Sequence, residues 1–204
     1  MVVYAKETTL LCQKLITDAR FFDFLLQIDR DLAKMARAKG CRDPDCGGPL
    51  HSANFQRKPR GGPGHLGPEH DIRFSFCCAL EGCRCRVTPP SVRFLGRKVY
   101  FAAVIVLATA MLHGTNAKRI ARIREWLDVS WDTLDRWRRW WRDTFAKGSF
   151  WRATKGRFAS PIDVATLPYS LLARFGGTHE TRLVCALKLI CPLTTTSAPG
   201  VQFP

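Results

Sequence analysis

The sequence predicts a mainly α-helical fold with a small β ribbon, and three observations lead to this fold class. Apolar residues recur at steps of three and four residues through several segments, which is the spacing of a helix. Six of the nine cysteines fall between residues 41 and 96, among short strand-like stretches. A four-residue turn joins two of the helical segments. With 204 residues, the chain can form one ordinary domain or two small ones.

The strongest compositional signal is positive charge, because 32 Lys and Arg residues stand against 17 Asp and Glu residues. The formal net charge of +15 implies a self-repulsion that an anionic partner would relieve. Nucleic acid is the commonest partner of this kind, since neutralised phosphates release their condensed counterions. Charge alone leaves an anionic membrane surface and a ribosomal site open as alternatives.

Two features of the sequence predict a cytoplasmic protein with no membrane partner. Residues 1–11 lack the basic start and the apolar stretch of a secretory signal. The longest apolar run, residues 99–112, is shorter than the roughly 20 residues of a membrane span. In the cytoplasm, cysteines paired at regular spacing indicate metal binding more than disulfide bonding.

The changes of pattern along the chain predict four segments. They are an N-terminal helical segment over residues 1–40, a ribbon over 41–96, a helical core over 97–147, and a C-terminal segment over 148–204. In the C-terminal segment, short helices are expected over residues 167–175 and 179–190, and residues 194–204 are expected to form a loose tail. In the first segment, residues 18–39 form a helix that Thr17 or Asp18 caps and Gly40 ends. The acidic residues of this helix are expected on its solvated face: Asp18, Asp23, Asp29 and Asp31.

The ribbon segment is predicted to contain three brief strands and one long loop. The strands are expected over residues 51–55, 73–77 and 84–88. Residues 57–65 are rich in Gly and Pro and carry Arg57, Lys58 and Arg60. Because this composition does not hold regular structure, the loop is expected to be mobile and basic.

Two pairs of cysteines in the ribbon share one spacing, Cys41-x4-Cys46 and Cys78-x4-Cys83. Two such turns facing each other supply the four thiolates that Zn²⁺ takes in a tetrahedron, so the ribbon is predicted to be a zinc ribbon. A closed shell of four thiolates leaves no open position for water, which makes the predicted zinc structural. The equal spacing favours Cys78, and three alternative ligands stay open: Cys77, Cys85 and His51.

The helical core is predicted to contain three helices, over residues 99–113, 117–127 and 131–145. Residues 127–130 form a tight turn in which Ser130 caps the third helix. One stripe of the third helix is apolar and is expected to pack on the other two: Leu134, Trp137, Trp141 and Phe145. This arrangement is typical of a helix-turn-helix with a homeodomain-like three-helix core.

The polar residues around this turn are candidates for binding double-stranded DNA. In a helix-turn-helix the first helix braces the phosphate backbone and the second enters the major groove. The candidate phosphate contacts are Thr115, Lys118, Arg119 and Arg122, and the candidates at the turn and on the third helix are Ser130, Trp131, Asp132, Thr133, Arg136 and Arg139. Arg136 suits guanine. Among the tryptophans, Trp131 and Trp140 are expected to lie outside the core.

The sequence resembles the DNA-binding parts of bacterial insertion-sequence transposases and of their accessory proteins. Residues 83–91, CRCRVTPPS, resemble the zinc ribbon that precedes a helix-turn-helix in such proteins. Residues 127–137, LDVSWDTLDRW, are similar to their turn and recognition helix. The resemblance covers roughly residues 41–145 and implies DNA binding at the nucleoid, with a transposase or recombinase as partner.

One departure from that family predicts a protein without catalytic residues. A transposase of this type carries a catalytic domain with three spaced carboxylates, whereas Asp163 and Glu180 are the only acidic residues after Gly148. No nucleophile motif and no His-x-His pair occurs in the sequence. The sequence therefore predicts a DNA-binding accessory protein of a mobile element, or a transposase-like protein without its catalytic half. The alternative is an RNA- or ribosome-associated zinc protein that grips single strands with its basic loop and exposed aromatic residues.

Overall fold

In the computed structural model of the protein, which describes residues 12–96, 98–114 and 116–195, helices predominate and the strands form small antiparallel sheets. This confirms the predicted mainly helical class with a small β unit. After helical residues 12–17, the α-helices are α1 (Ala19–Ala38), α2 (Ala102–Met111), α3 (Ala117–Leu127), α4 (Trp131–Arg139), α5 (Ser149–Thr154), α6 (Tyr169–Leu172) and α7 (His179–Ile190). A π-helix continues α4 over Trp140–Phe145, and short 3-10 helices cover Pro68–Asp71, Lys155–Arg157, Val164–Thr166 and Cys191–Thr194.

Helix α1 begins and ends within one residue of the predicted bounds. Asp18 caps its start, because the Asp18 side chain accepts a hydrogen bond of 3.0 Å from the backbone N–H of Arg20. Gly40 follows its end with a φ of +75°, a left-handed conformation that suits glycine. The buried face of α1 is apolar except for Asp29, which is 1% exposed. The prediction that Asp29 lies on the solvated face is therefore wrong.

The described residues include the strands β1 (Leu50–Ser52), β2 (Phe55–Gln56), β3 (Ile72–Arg73), β4 (Phe76–Cys78) and β5 (Arg86–Val87). They form a three-stranded sheet of order β1–β4–β5 and a separate pair, β2–β3. Two of the three predicted strands are each divided between the two sheets. The division falls where the backbone N–H of Ser75 donates to the side chain of Asn54 at 3.0 Å, so that a side chain replaces a ladder hydrogen bond.

The basic loop over residues 57–65 packs against the segment before α2, which corrects the prediction of a mobile loop. The guanidinium of Arg57 donates to the carbonyls of Gly96 at 2.9 Å and Lys98 at 3.1 Å. The backbone N–H of Arg60 donates to the carbonyl of Val99 at 2.8 Å, and the carbonyl of Arg60 accepts from the N–H of Phe101 at 3.1 Å. These partners lie about 40 residues away along the chain, so the loop's own composition gives no sign of them.

Helix α2 lies at the centre of the main core, and all ten of its residues are buried. It carries no charged residue and is apolar on every side, as a helix with no solvated face requires. Helices α4, α6 and α7 pack against it. The apolar cluster around α2 reaches from Cys12 to Leu193, so the N-terminal and C-terminal helices share one core with the helices between them.

The helix predicted over residues 131–145 has two parts, α4 and the π-helix that continues it. In the second part the N–H of Ala146 bonds to the carbonyl of Trp141, a step of five residues that widens the turn. The widened turn carries Trp140, Trp141 and Phe145 into the core together, each at most 3% exposed. The expectation that Trp140 lies outside the core is wrong, whereas Trp131 is 40% exposed.

After the π-helix, the chain returns to the core through short elements. Helix α7 has the predicted bounds, and the helix predicted over residues 167–175 is reduced to α6. Helix α5 was not predicted, although Gly148 stands at its N-cap and Trp151 is 2% exposed. Residues 196–204 of the predicted tail lie outside the described residues.

A buried ion pair between Asp29 of α1 and Arg93 joins the helices to the strands. Arg93 is 0% exposed, and its Nε donates to Oδ2 of Asp29 at 2.8 Å. The same carboxylate accepts hydrogen bonds from the hydroxyl of Ser91 and from the backbone N–H of Val92, the latter at 2.7 Å. Its oxygens are therefore well supplied with donors, which a buried carboxylate requires.

The remaining N–H groups of Arg93 reach the chain beside the strands. They donate to the carbonyls of His70 at 3.0 Å and Ile72 at 2.8 Å, and the guanidinium lies 4.8 Å from the ring centroid of Phe94. Burial lowers the pKa of Arg93, and the negative charge of Asp29 opposes that change. One guanidinium thus ties α1, the start of β3 and the segment before α2 together.

Removing this carboxylate is expected to destabilise the whole fold. We expect Asp29→Ala to lower the free energy of unfolding by about 3–5 kcal/mol, because Arg93 then stays buried without its counter-charge. Urea unfolding followed by circular dichroism measures the change. Asp31→Ala is the matched control on the exposed side of α1 and should cost less than about 1 kcal/mol. Equal losses in the two variants would contradict the role assigned to the ion pair.

Candidate metal centre and nucleic-acid interface

The four cysteines predicted as ligands, Cys41, Cys46, Cys78 and Cys83, converge in one cluster. Their sulfur atoms all lie within 4.8 Å of one another. The Sγ atoms of Cys41 and Cys83 are 3.6 Å apart, and those of Cys46 and Cys78 are 3.5 Å apart. Sulfurs bound at about 2.3 Å to a tetrahedral zinc ion would be about 3.8 Å apart, so the cluster has the dimensions of a four-thiolate metal site.

Each sulfur also receives a hydrogen bond from a backbone N–H two residues further along the chain. The donors to Cys41, Cys46, Cys78 and Cys83 are the amides of Asp43, Gly48, Leu80 and Cys85, respectively. The two turns therefore present their sulfurs and their amides in the same way. Since hydrogen bonds to the charged form favour it, these amides stabilise thiolates, the form that binds a metal ion.

The four thiols do not ionise independently, because hydrogen bonds among them raise the pKa of some and lower the pKa of others, and four thiolates together would repel one another. The amide of Asp43 lowers the pKa of Cys41, but burial and the thiols of Cys83 and Cys46 outweigh it and raise that pKa to about 11. The pKa of Cys83 is lowered, with the amide of Cys85 as the largest cause. A divalent cation at the centre would remove the repulsion and leave the four amide contacts in place.

Strand register decides which cysteine of the Cys77–Cys78 pair enters the cluster. In the β1–β4 ladder Leu50 lies opposite Cys78 and His51 lies opposite Cys77, and neighbouring residues of a strand point to opposite faces. Cys78 is 0% exposed, whereas Cys77 donates its thiol to the carbonyl of Arg84 at 3.3 Å on the other face. The structure thus favours Cys78 among the alternatives, and it leaves Cys77, Cys85 and His51 outside the cluster.

A small apolar cluster of its own surrounds the four cysteines. It consists of Ala33 from α1, Leu50, Phe76 and the buried cysteines Cys41 and Cys78. These few side chains bury little surface compared with the main core around α2. The fold of this part of the chain therefore depends on whatever holds the four sulfurs together.

A tight turn between α3 and α4 carries the second candidate site. Asp128 has a φ of +49°, Val129 is 4% exposed, and the side chain of Ser130 accepts the backbone N–H of Thr133 at 3.3 Å. The predicted cap by Ser130 is thereby confirmed. The buried Val129 anchors the turn in the main core.

Helix α4 turns its apolar side to the core and its polar side outward. Leu134 and Trp137 are buried, and the ring of Trp137 packs edge-on against Tyr100 with centroids 5.1 Å apart. The residues predicted to contact DNA on α3 and α4 are exposed, except that Thr133 is half-buried: Lys118, Arg122, Ser130, Trp131, Asp132, Arg136 and Arg139. Thr115 and the side chain of Arg119 lie outside the described residues.

Local hydrogen bonds hold two arginines of the outward face. A terminal nitrogen of Arg136 donates to the hydroxyl of Thr133 at 3.1 Å, which leaves most of its guanidinium free to bind a ligand. Arg139 forms an ion pair of 2.9 Å with Asp135, so its charge is already paired within the helix. The contrast makes Arg136 the better candidate for a base contact.

Lys98 was not among the predicted site residues, yet it lies beside the same face. Its ammonium stands 5.3 Å from the ring centroid of Trp140. Burial, together with the nearby positive charge of Arg136, lowers the pKa of Lys98 to about 8. Nothing in the local sequence around Lys98 indicates this position, because the segment reaches α4 only through the fold.

Comparisons with protein-family models, with curated proteins and with solved structures found no match for the chain. Within the described ranges, no helix combines the length and the apolar character that a membrane crossing requires.

The metal centre generates a paired prediction at adjacent residues. We expect the protein, purified in reducing buffer, to hold one metal ion per chain, and Cys78→Ser to lose most of it because one thiolate of four is missing. Cys77→Ser should retain the metal, since its sulfur lies on the other face of β4. Elemental analysis by mass spectrometry measures both. Retention by Cys78→Ser with loss by Cys77→Ser would contradict the ligand set.

Removal of the metal should unfold the ribbon before it unfolds the main core. A strong chelator is expected to expose the backbone amides of the strands β1, β4 and β5, because their own apolar cluster is small. Hydrogen–deuterium exchange read by mass spectrometry follows the strands and α2 in one experiment. Strands that stay as protected as α2 after metal loss would contradict this dependence.

Proposed function

We propose that the protein binds duplex DNA through α3, the turn and α4, and that Zn²⁺ in the four-cysteine cluster has a structural role. The observation that carries the proposal is the division of α4 into a buried apolar side and an exposed side with Trp131 and Arg136. A helix that is fixed from behind and capped at its start can enter a major groove as a rigid body. The net charge of +15 supports an anionic partner.

The exposed cations divide into two kinds under this proposal. Lys118 and Arg122 of α3 would bind phosphates, which adds affinity for every sequence. Arg136 would form two hydrogen bonds with the O6 and N7 atoms of guanine, which adds preference for one base. Trp131, at the first position of α4, would pack against sugar or base edges at the entrance of the groove.

The four thiolates support zinc over harder cations, since soft sulfur ligands in a tetrahedron suit Zn²⁺ and exclude Mg²⁺ and Ca²⁺. With all four positions taken by protein sulfur, the ion would have no site for water or substrate. Its proposed task is to hold the two cysteine turns of the ribbon together. The ribbon contacts the helices through Ala33 of α1 and is joined to them by the Asp29–Arg93 pair.

We further propose that the protein is an accessory of a mobile element and acts beside a separate transposase or recombinase. The support is the resemblance of residues 83–91 and 127–137 to the DNA-binding parts of insertion-sequence proteins. The test is binding to the terminal sequences of mobile elements from the same genome, against scrambled duplexes of equal composition. Equal affinity for ends and scrambled duplexes would contradict this role and leave general DNA binding.

We expect exposed cations of α3 and α4 to respond differently to substitution. Arg122→Ala should weaken binding to all duplexes alike and make the plot of log affinity against log salt shallower by about one unit. Arg136→Ala should cost about 1–3 kcal/mol on the preferred duplex and relax preference at one base position. Fluorescence anisotropy over a salt series, with a selected duplex and single-base variants of it, measures both.

The matched control for these variants is Arg174→Ala, which removes an arginine that is bonded to Ser160 near the C-terminal helices. It should leave duplex affinity unchanged. An equal loss of affinity for every sequence in Arg136→Ala would show that Arg136 contacts phosphate and not a base. Tight binding to structured RNA or single strands, with none to duplex DNA, would overturn the proposal in favour of an RNA-associated protein.

The proposed accessory role also predicts that the protein alone neither cuts nor joins DNA. Among the described residues, the four cysteines are the one group of metal-binding side chains close enough to share an ion, and two-metal nuclease chemistry needs carboxylates around such an ion. The test is incubation with supercoiled plasmid in Mg²⁺ or Mn²⁺. Nicking that co-purifies with the protein and disappears in Asp132→Ala or Asp135→Ala would contradict the accessory role.

A further inference from the structure

We propose that the basic loop over residues 57–65 is a second DNA-binding element, in which Lys58 and Arg60 bind phosphates that border the groove occupied by α4. This inference rests on the proposed duplex binding and adds a second element to it. It is argued from how the loop is fixed, from where it is fixed, and from the charges that it leaves exposed.

The loop is held by its backbone and by close packing of two glycines. Arg60 forms backbone hydrogen bonds on both sides with the segment before α2, at 2.8 Å to Val99 and 3.1 Å to Phe101. At Gly62 a Cβ atom would lie 2.6 Å from the ring of Phe101, and at Gly61 it would lie 3.0 Å from Val104. The path of the loop is therefore determined by the core beneath it, and its side chains start from fixed positions.

The place where the loop is fixed adjoins the end of α3 and the turn that leads into α4. A cleft of about 400 Å³ separates the loop from the turn, with Arg60, Gly61 and Gly62 on one side and Trp126, Leu127 and Asp128 on the other. Tyr100 also lines the cleft and links the loop side to the turn and to α4. Its hydroxyl donates to the carbonyl of Asp128 at 3.3 Å, and its ring packs on Trp137 of α4. The loop thus stands across the cleft from the turn that precedes the first residues of α4, the residues that would enter the major groove first.

Of the three cationic side chains of the loop, one forms hydrogen bonds within the protein and two are exposed. Arg57 is half-buried and donates to Gly96 and Lys98, so it serves the loop itself. Lys58 and Arg60 are exposed and form no ion pair within the described part of the chain. The one carboxylate lining the cleft is that of Asp128, which would keep a phosphate at the rim beside Arg60 and out of the interior.

Duplex DNA is the partner that fits this arrangement. When the first residues of a recognition helix enter the major groove, the phosphates of the two DNA strands lie on either side of the helix. A cationic loop fixed beside those first residues faces one of these strands. Lys118 and Arg122, which stand on the preceding helix, are the proposed contacts to phosphate from α3, so loop and helix would bind backbone on separate elements.

The test compares the double variant K58A/R60A with a control of equal charge change, K34A/K188A, which alters exposed lysines on α1 and α7. The zinc-loaded full chain is titrated with a 20-base-pair duplex over a salt series. We expect K58A/R60A to bind roughly tenfold more weakly and to make the salt slope shallower by about two units, equally for every sequence. The control should keep the wild-type slope. Equal slopes in the two double variants would overturn the inference.

A second variant keeps the charges and moves the loop. In Gly62→Ala the new methyl group would collide with the ring of Phe101, so the loop must shift while Lys58 and Arg60 stay present. We expect a loss of affinity approaching that of K58A/R60A, with unchanged metal content and circular dichroism. Wild-type affinity in this variant would show that the fixed position is not needed and would count against the inference.

Failure of the inference and failure of the proposed function give different results. If the wild-type chain binds no duplex, the proposed function itself fails. If the wild type binds duplex and Arg136→Ala weakens it, whereas K58A/R60A does not, only the loop's role is overturned. If K58A/R60A weakens binding to single-stranded RNA alone, the loop serves a different nucleic acid and the inference is likewise overturned.

Discussion

The carboxylate of Asp29 and the guanidinium of Arg93 meet in the interior, and three parts of the chain converge on them. Asp29 comes from the middle of α1, Arg93 from the segment that leads into α2, and Arg93 bonds in turn to the carbonyls of His70 and Ile72 beside β3. Two buried charges are costly to remove from water, so this pair is stable only while each partner keeps its full set of hydrogen bonds. The requirement fixes where the strands stand relative to the helices more tightly than apolar packing alone would.

The Asp29–Arg93 pair lies between the two candidate sites and connects the elements that carry them. The four-cysteine cluster has only a small apolar cluster around it, including Ala33 of the same helix α1 that carries Asp29. On the other side of the junction, the segment before α2 receives the basic loop at Val99 and Phe101 and supports α4 through Tyr100. Metal binding at one end and nucleic-acid binding at the other would therefore share a framework, although the two sites lie on different elements.

The parts that the sequence predicted correctly depend on neighbours along the chain. The bounds of α1, α3 and α7 follow from helical spacing, caps and a glycine, which all act within one or two turns. The clustering of the four cysteines follows from two matched spacings, and the choice of Cys78 over Cys77 agrees with the strand register. The errors concern partners that are distant in sequence. Asp29 has the charge of a surface residue, and the loop over residues 57–65 has the composition of a mobile one.

By itself, the sequence determined the helical class, the four cysteines of the cluster and the capped turn before α4, because spacing and capping are local properties of the chain. Only the tertiary structure decided that Trp140 is buried, since a tryptophan ring suits the core and the surface alike and the π-helix carries this ring inward. The same holds for Asp29 and Arg60, whose positions are set by hydrogen-bond partners roughly 40 to 60 residues away along the chain. Local sequence patterns do not reveal partners this far apart, because the long loops between them close only when the chain folds.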